Sequence, residues 1–69
     1  MIVSDMNELG EAVRKRRKEL GYTQQYICDA TGLSVSFISD VENGKATAEA
    51  GKVIRYISLL GMNVILEER

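Results

Sequence analysis

The sequence contains no histidine, no proline and no tryptophan, and only one cysteine. A lone thiol, Cys28, excludes a disulfide within the chain. Without histidine a closed zinc site is nearly excluded too, because one cysteine cannot supply the tetrahedral nitrogen and sulfur ligand set. The same absence removes the commonest general base, and there is no phosphate loop and no paired acidic motif in a glycine-rich context. The chain therefore reads as a non-enzyme that needs no cofactor and no metal. No apolar run approaches the roughly 20 residues of a membrane span. The opening MIVSDMNELG has neither the basic start nor the long apolar stretch of a signal peptide. A reducing cytoplasm is the expected location.

With 69 residues, residues 1–69 are expected to form a single small domain. A chain this short buries only about 60% of the surface it exposes when unfolded, so its core is marginal alone. With disulfides and metal set aside, self-association is the stabilising device that remains. The formal net charge is -1, but its distribution matters more than its sum. Five of the nine cationic residues are consecutive: Arg14, Lys15, Arg16, Arg17 and Lys18. Such a run is either a solvated helix end complementing the macrodipole or a phosphate-facing patch, and by itself it does not choose.

Glycines at 21, 32, 44 and 61 divide the chain into four helical units and a tail. The first unit begins near Asp5, with Glu8 placed to complete a capping box, and Met6, Leu9, Val13 and Leu20 share one face. The second starts at Thr23 and runs to about Ala30. The third starts at Ser34 and ends near Glu42, before Asn43-Gly44; both starts carry cap residues. The fourth is expected from about Thr47, with Ala50, Val53, Ile54, Ile57 and Leu60 at helical spacing. After Gly61 the period changes, and Met62, Val64 and Leu66 alternate as in a strand. The other reading is a frayed apolar tail; a lone strand must pair. Residues 1–3 offer one partner, and the same segment of a second copy offers another.

The stretch YTQQYICDATGLSVSFISDVENGK holds two helices of about eight residues joined by a short turn with a central glycine, which is a helix-turn-helix pattern. Ile27, Ile38 and Val41 supply the apolar contact between them. Cys28 is small enough for a close approach, and Leu33 fills the corner. On Thr23-Gln24, Gly32-Leu33-Ser34, Ile38-Ser39 and Glu42-Asn43-Gly44-Lys45, the sequence resembles the phage-repressor-like helix-turn-helix regulators, the Cro and C1 (XRE-type) class. Four helices followed by an apolar strand are most similar, within that class, to the HipB-like antitoxins.

The resemblance implies an all-α fold of four to five short helices with a helix-turn-helix, plus a C-terminal strand over residues 62–67 that pairs across a homodimer through Met62, Val64 and Leu66. It implies that the third helix lies in the DNA major groove, with Ser34, Val35, Ser36, Ser39 and Asp40 toward the bases. Thr23, Gln24 and Lys45 become phosphate contacts, and Arg17 and Glu42 a structural pair. The implied function is a sequence-specific repressor at a palindromic operator on double-stranded DNA, autoregulating as an antitoxin beside a toxin protein. The alternative is an interaction module that mainly holds a toxin and binds DNA weakly. The thin set of base-reading residues, without Gln, Lys or Arg on the third helix, and the acidic pI lean toward that alternative. The intact turn and the Thr23-Gln24 and Glu42-Asn43-Gly44-Lys45 elements lean toward DNA, against which Asp40 sets a carboxylate that repels phosphate unless it accepts from cytosine N4.

Overall fold

Cap chemistry sets the helix boundaries. In the computed structural model, which describes residues 1–69, Asp5 accepts a hydrogen bond from the Glu8 amide at 2.8 Å and starts α1, Met6–Glu19. Glu8 reaches back to the Ser4 amide at 3.3 Å, one residue earlier than a strict capping box requires. Thr23 accepts from the Tyr26 amide and starts α2, Gln24–Thr31. Ser34 accepts from the Phe37 amide and starts α3, Val35–Glu42. Each satisfies one of the amides that a helix start leaves open. Between α2 and α3 the chain turns at Gly32, whose φ of 77° lies in the left-handed region where a side chain is strained.

The last helix, α4, spans Ala50–Leu59 and begins later than the expected start near Thr47. The Ala48 amide bonds the Lys45 carbonyl at 3.3 Å, closing a turn, and Glu49 is extended (φ -65°, ψ 121°). The helix can form only beyond that extended residue, and Glu49 makes no side-chain cap bond.

One core holds the four helices together. Val13, Ile27, Leu33, Ile38, Val41, Val53, Tyr56, Ile57 and Leu60 are buried in it. α3 packs on both α1 and α2, and α4 closes over α2. One expectation for the apolar stripe of α4 is corrected here. Ile54, assigned to the apolar stripe, is 49% exposed, whereas Tyr56 is fully buried. The buried set Val53, Tyr56, Ile57 and Leu60 follows i, i+3, i+4, i+7 spacing, and Ile54 lies off that stripe.

The tail pairs with nothing inside the chain. No strand forms, and beyond Met62, whose amide bonds the Ile57 carbonyl, no backbone group is hydrogen bonded to another. Residues 1–3 are exposed and do not take up the role of partner strand. Met62 packs on the core, while Val64, Ile65 and Leu66 are exposed.

Gly10 lies buried in the middle of α1. A Cβ there would stand 2.8 Å from the Glu42 carbonyl oxygen and closer still to that of Val41. The missing side chain is what lets α1 approach the end of α3. Gly10→Ala is expected to lower the melting temperature, because overpacking costs about 1–3 kcal/mol and exceeds the roughly 1 kcal/mol gained in helix propensity. Gly51→Ala, in α4 with nothing within 4 Å, should raise it. Thermal melts followed by circular dichroism would decide; a rise in both variants would refute the close approach.

Candidate nucleic-acid interface

The outer face of α3 carries the proposed base-reading residues. Ser34 and Ser36 are exposed and Val35 is 43% exposed. Ser39 and Asp40 are half-buried. Ser36 and Asp40 are four apart and so lie on one side of the helix, with Val35 and Ser39 beside them. Several of these groups have local duties. The Ser34 hydroxyl is the cap acceptor, and the Ser39 hydroxyl accepts from the Asn43 side chain at 3.4 Å. Asn43 is exposed at the end of the same face and was not among the sequence candidates.

Lys45 lies beyond the turn, and its ammonium sits 3.4 Å from an Asp40 carboxylate oxygen. Both side chains are about half exposed, at 54% and 44%. The pair is therefore solvated and readily exchanged. A carboxylate on this face would by itself repel phosphate, but here a cation accompanies it.

The start of α2 presents the other candidates. The Thr23 hydroxyl caps Tyr26, leaving the amides of Gln24 and Gln25 at the positive helix end without intrahelical partners. The Gln24 side chain points one N–H inward, to Glu42 at 3.2 Å. Tyr26 is 46% exposed and stacks on Tyr22, with ring centroids 4.4 Å apart. Cys28 is half-buried beside the core, and burial followed by the Asp29 charge pushes its thiol up, away from the reactive thiolate.

Behind this face lies a buried charged cluster. The Arg17 guanidinium grips Glu42 in a fork, Nε to Oε2 at 2.7 Å and Nη2 to Oε1 at 2.9 Å. Its Nη1 donates to the Tyr22 carbonyl at 2.9 Å. The Tyr56 hydroxyl donates to Glu42 Oε2 at 2.5 Å. With Gln24, residues from α1, α2 and α4 all donate to one carboxylate of α3. The Arg17 and Glu42 side chains are 10% and 3% exposed, so the pair is deeply placed. Burial pushes the Glu42 carboxyl up, but the bonds from Arg17, Tyr56 and Gln24 outweigh it and hold the group below the usual carboxylate range. Burial, together with the bond to Glu42, raises the Tyr56 hydroxyl well above the ordinary tyrosine value. Arg17 is raised by its bond to Glu42.

The basic run is thus divided. Arg17 is committed to Glu42, and Arg16 Nε donates to the Leu60 carbonyl at 3.0 Å, capping the end of α4. Arg14, Lys15 and Lys18 remain exposed, and they share their surface with Glu11 and Glu19. Only part of the run is available to a polyanion. The sequence reading did not assign Arg16 or Tyr56. The spacing of Tyr56 from Val53 and Leu60 carries a signal for its burial, whereas nothing local connects Arg16 with a carbonyl 44 residues away.

A family model described as helix-turn-helix matches residues 13–64. An uncharacterized HTH-type transcriptional regulator of Sinorhizobium fredii, y4mF, is 37% identical over 57 residues, spanning 83% of this chain and 75% of that protein. Among solved structures, the HipB-O4 20mer complex superposes with a TM-score of 0.90 at 19% identity, covering 99% of this chain and 96% of that one. The HipA-HipB-O2-O3 complex gives the same TM-score, identity and coverage. The chain belongs to the helix-turn-helix family of DNA-binding regulators.

The buried cluster sets a pH window for stability. Glu42, lowered in the folded state, contributes above its unfolded value of about 4.3, and the contribution is lost as pH falls through the folded value. Tyr56, raised in the folded state, contributes fully below its unfolded value of about 10 and loses this as pH rises through the folded value. Tyr56→Phe should therefore flatten the alkaline fall in melting temperature. Glu42→Ala leaves Arg17 buried without its partner and should cost about 3–5 kcal/mol, while Glu67→Ala at the exposed tail should change little. Equal melting temperatures for these two variants would show that Glu42 is an ordinary surface residue.

Proposed function

We propose that this chain is a sequence-specific repressor that binds a palindromic operator as a homodimer and serves as an autoregulating antitoxin of a toxin–antitoxin pair. The observation that carries the reading is the arrangement of α2 and α3. One outward helical face bears Ser34, Val35, Ser36 and the half-buried Ser39 and Asp40, Lys45 after the turn pairs with it, and the preceding helix opens at Thr23 and Gln24. A helix of this kind fits the major groove while the neighbouring helix start meets phosphate. The fold likeness to HipB, solved with a 20mer and with HipA, supports the antitoxin part.

The dimer is proposed through residues 62–67. The exposed Val64 and Leu66, with Met62 anchored on the core, form an apolar alternation whose backbone has no partner in its own chain. Antiparallel pairing with the same segment of a second copy satisfies those groups, and an isologous two-fold pair is the commonest closed assembly. A second reading, a module that chiefly holds a toxin, is favoured by one observation. No Arg, Lys or Gln lies on α3, and Lys45 is already paired with Asp40.

Salt dependence separates the two. If Arg14, Lys18 and Lys45 of two protomers meet phosphates, six cations are engaged, and affinity should drop about a thousandfold between roughly 50 and 200 mM salt. Lys45→Ala should weaken operator and random duplex alike and shallow that slope. Fluorescence anisotropy with labelled duplexes is the measurement; a flat salt response would rule out the DNA reading.

Truncation after Gly61 tests the dimer. The shortened chain should sediment as a monomer and lose preference for paired half-sites about 10 base pairs apart. A truncated protein that stays dimeric would move the interface elsewhere, first to the outer side of α4 around Ile54.

A further inference from the structure

Among the outward groups of α3, one is charged: the Asp40 carboxylate. The others are Ser34, Val35, Ser36 and Ser39. The nearest cations do not belong to α3. Lys45 pairs with Asp40 at 3.4 Å, and Lys52 lies over the Phe37 ring at 5.9 Å while pairing with Glu49 at 3.4 Å. A reading surface made this way has no fork for the two acceptors of guanine. Its strongest feature only accepts hydrogen bonds.

We infer that Asp40 fixes the base preference of this helix by accepting from the N4 amino group of a cytosine, and that Lys45 leaves Asp40 for a phosphate as this contact forms. The inference rests on reading α3 as the helix in the groove. The choice of base follows from the edges. Guanine offers two acceptors there, and thymine offers an acceptor beside a methyl group. Adenine offers a donor, but its N7 acceptor stands next to it and repels a carboxylate. Cytosine alone presents a donor without a neighbouring acceptor. Serine hydroxyls act as donor or acceptor and discriminate little, so the carboxylate carries the contrast.

The release of Lys45 follows from the same geometry. The ion pair is long and half exposed, so parting it costs little in water. A carboxylate engaged at a base edge gives up its hold on the lysine, and the freed ammonium, exposed beyond the turn that follows α3, is then open to a phosphate. Asp40 thereby restrains Lys45 on random sequence and frees it on the cognate one, which sharpens specificity without a guanine-reading arginine.

The test is selection from a randomised duplex pool by the full-length chain, its Asp40→Asn variant and its Lys45→Ala variant, with melting temperatures checked first. The unmodified protein should enrich cytosine at one position of each half-site by about tenfold over other bases. Asp40→Asn should lose that preference, shift toward adenine, whose donor and acceptor match an amide, and bind random duplex several-fold more tightly. Lys45→Ala should keep the cytosine and bind every sequence less well. Identical base profiles for the unmodified protein and Asp40→Asn would overturn this inference while leaving DNA binding intact. Failure of the unmodified protein to retrieve any duplex above background would overturn both it and the DNA reading.

Discussion

A single carboxylate organises this molecule. Glu42 is the last residue of α3, its side chain is 3% exposed, and it accepts from Arg17 of α1, Gln24 of α2 and Tyr56 of α4. Helices of eight residues, as α2 and α3 are, do not persist in water by themselves. They persist here because the apolar core collects them, but apolar contact alone tolerates sliding and rotation. The fork between Arg17 and Glu42 fixes both in-plane directions of the carboxylate. The ends of four helices are then referred to one point. The angle between α2 and α3, on which any groove-reading use depends, is a consequence of that point as much as of Ile27 meeting Ile38.

Much of this was legible in the sequence because it is written in local chemistry. Asp5, Thr23 and Ser34 cap where their side chains suggest, and Gly21, Gly32, Gly44 and Gly61 all adopt positive φ where helical periodicity stops. The central apolar residues of the helix-turn-helix are fully buried as their spacing requires. What escaped was long-range or marginal. Thr47 has the chemistry of a cap, yet the turn closed by Lys45 and Ala48 delays α4 by two to three residues. Tyr56 lies on one edge of the buried stripe and Ile54 just beyond the other, and hydrophobicity favoured the wrong one; the polar end of Tyr56 is what makes its burial favourable, because Glu42 receives it. Arg16 and Arg17 looked alike in a run of five cations. Their separate roles depend on carbonyl and carboxylate groups brought in from α4 and α3.

The electrostatics of the candidate interface follow from that division. Once Arg16 and Arg17 are engaged, the face of α3 has Lys45 set against Asp40, while the free cations of α1, Arg14, Lys15 and Lys18, share their own surface with Glu11 and Glu19. A surface with so few free cations gains affinity for a polyanion in two other ways. The first is the partial positive charge at the start of α2, which costs no net charge and needs no long side chain. The second is duplication, because in the proposed dimer a two-fold copy would double every phosphate contact at fixed spacing.

That second route joins the two ends of the molecule. The same shortness that makes the core marginal leaves the backbone beyond Met62 without a partner, and few free cations leave the candidate interface with little charge to offer a polyanion. In the proposed dimer, pairing of the tails would address both deficits at once, since area buried between copies would stabilise the fold and the symmetry would set two α3 helices on one side of a duplex. In such a design stability and affinity are coupled through one segment.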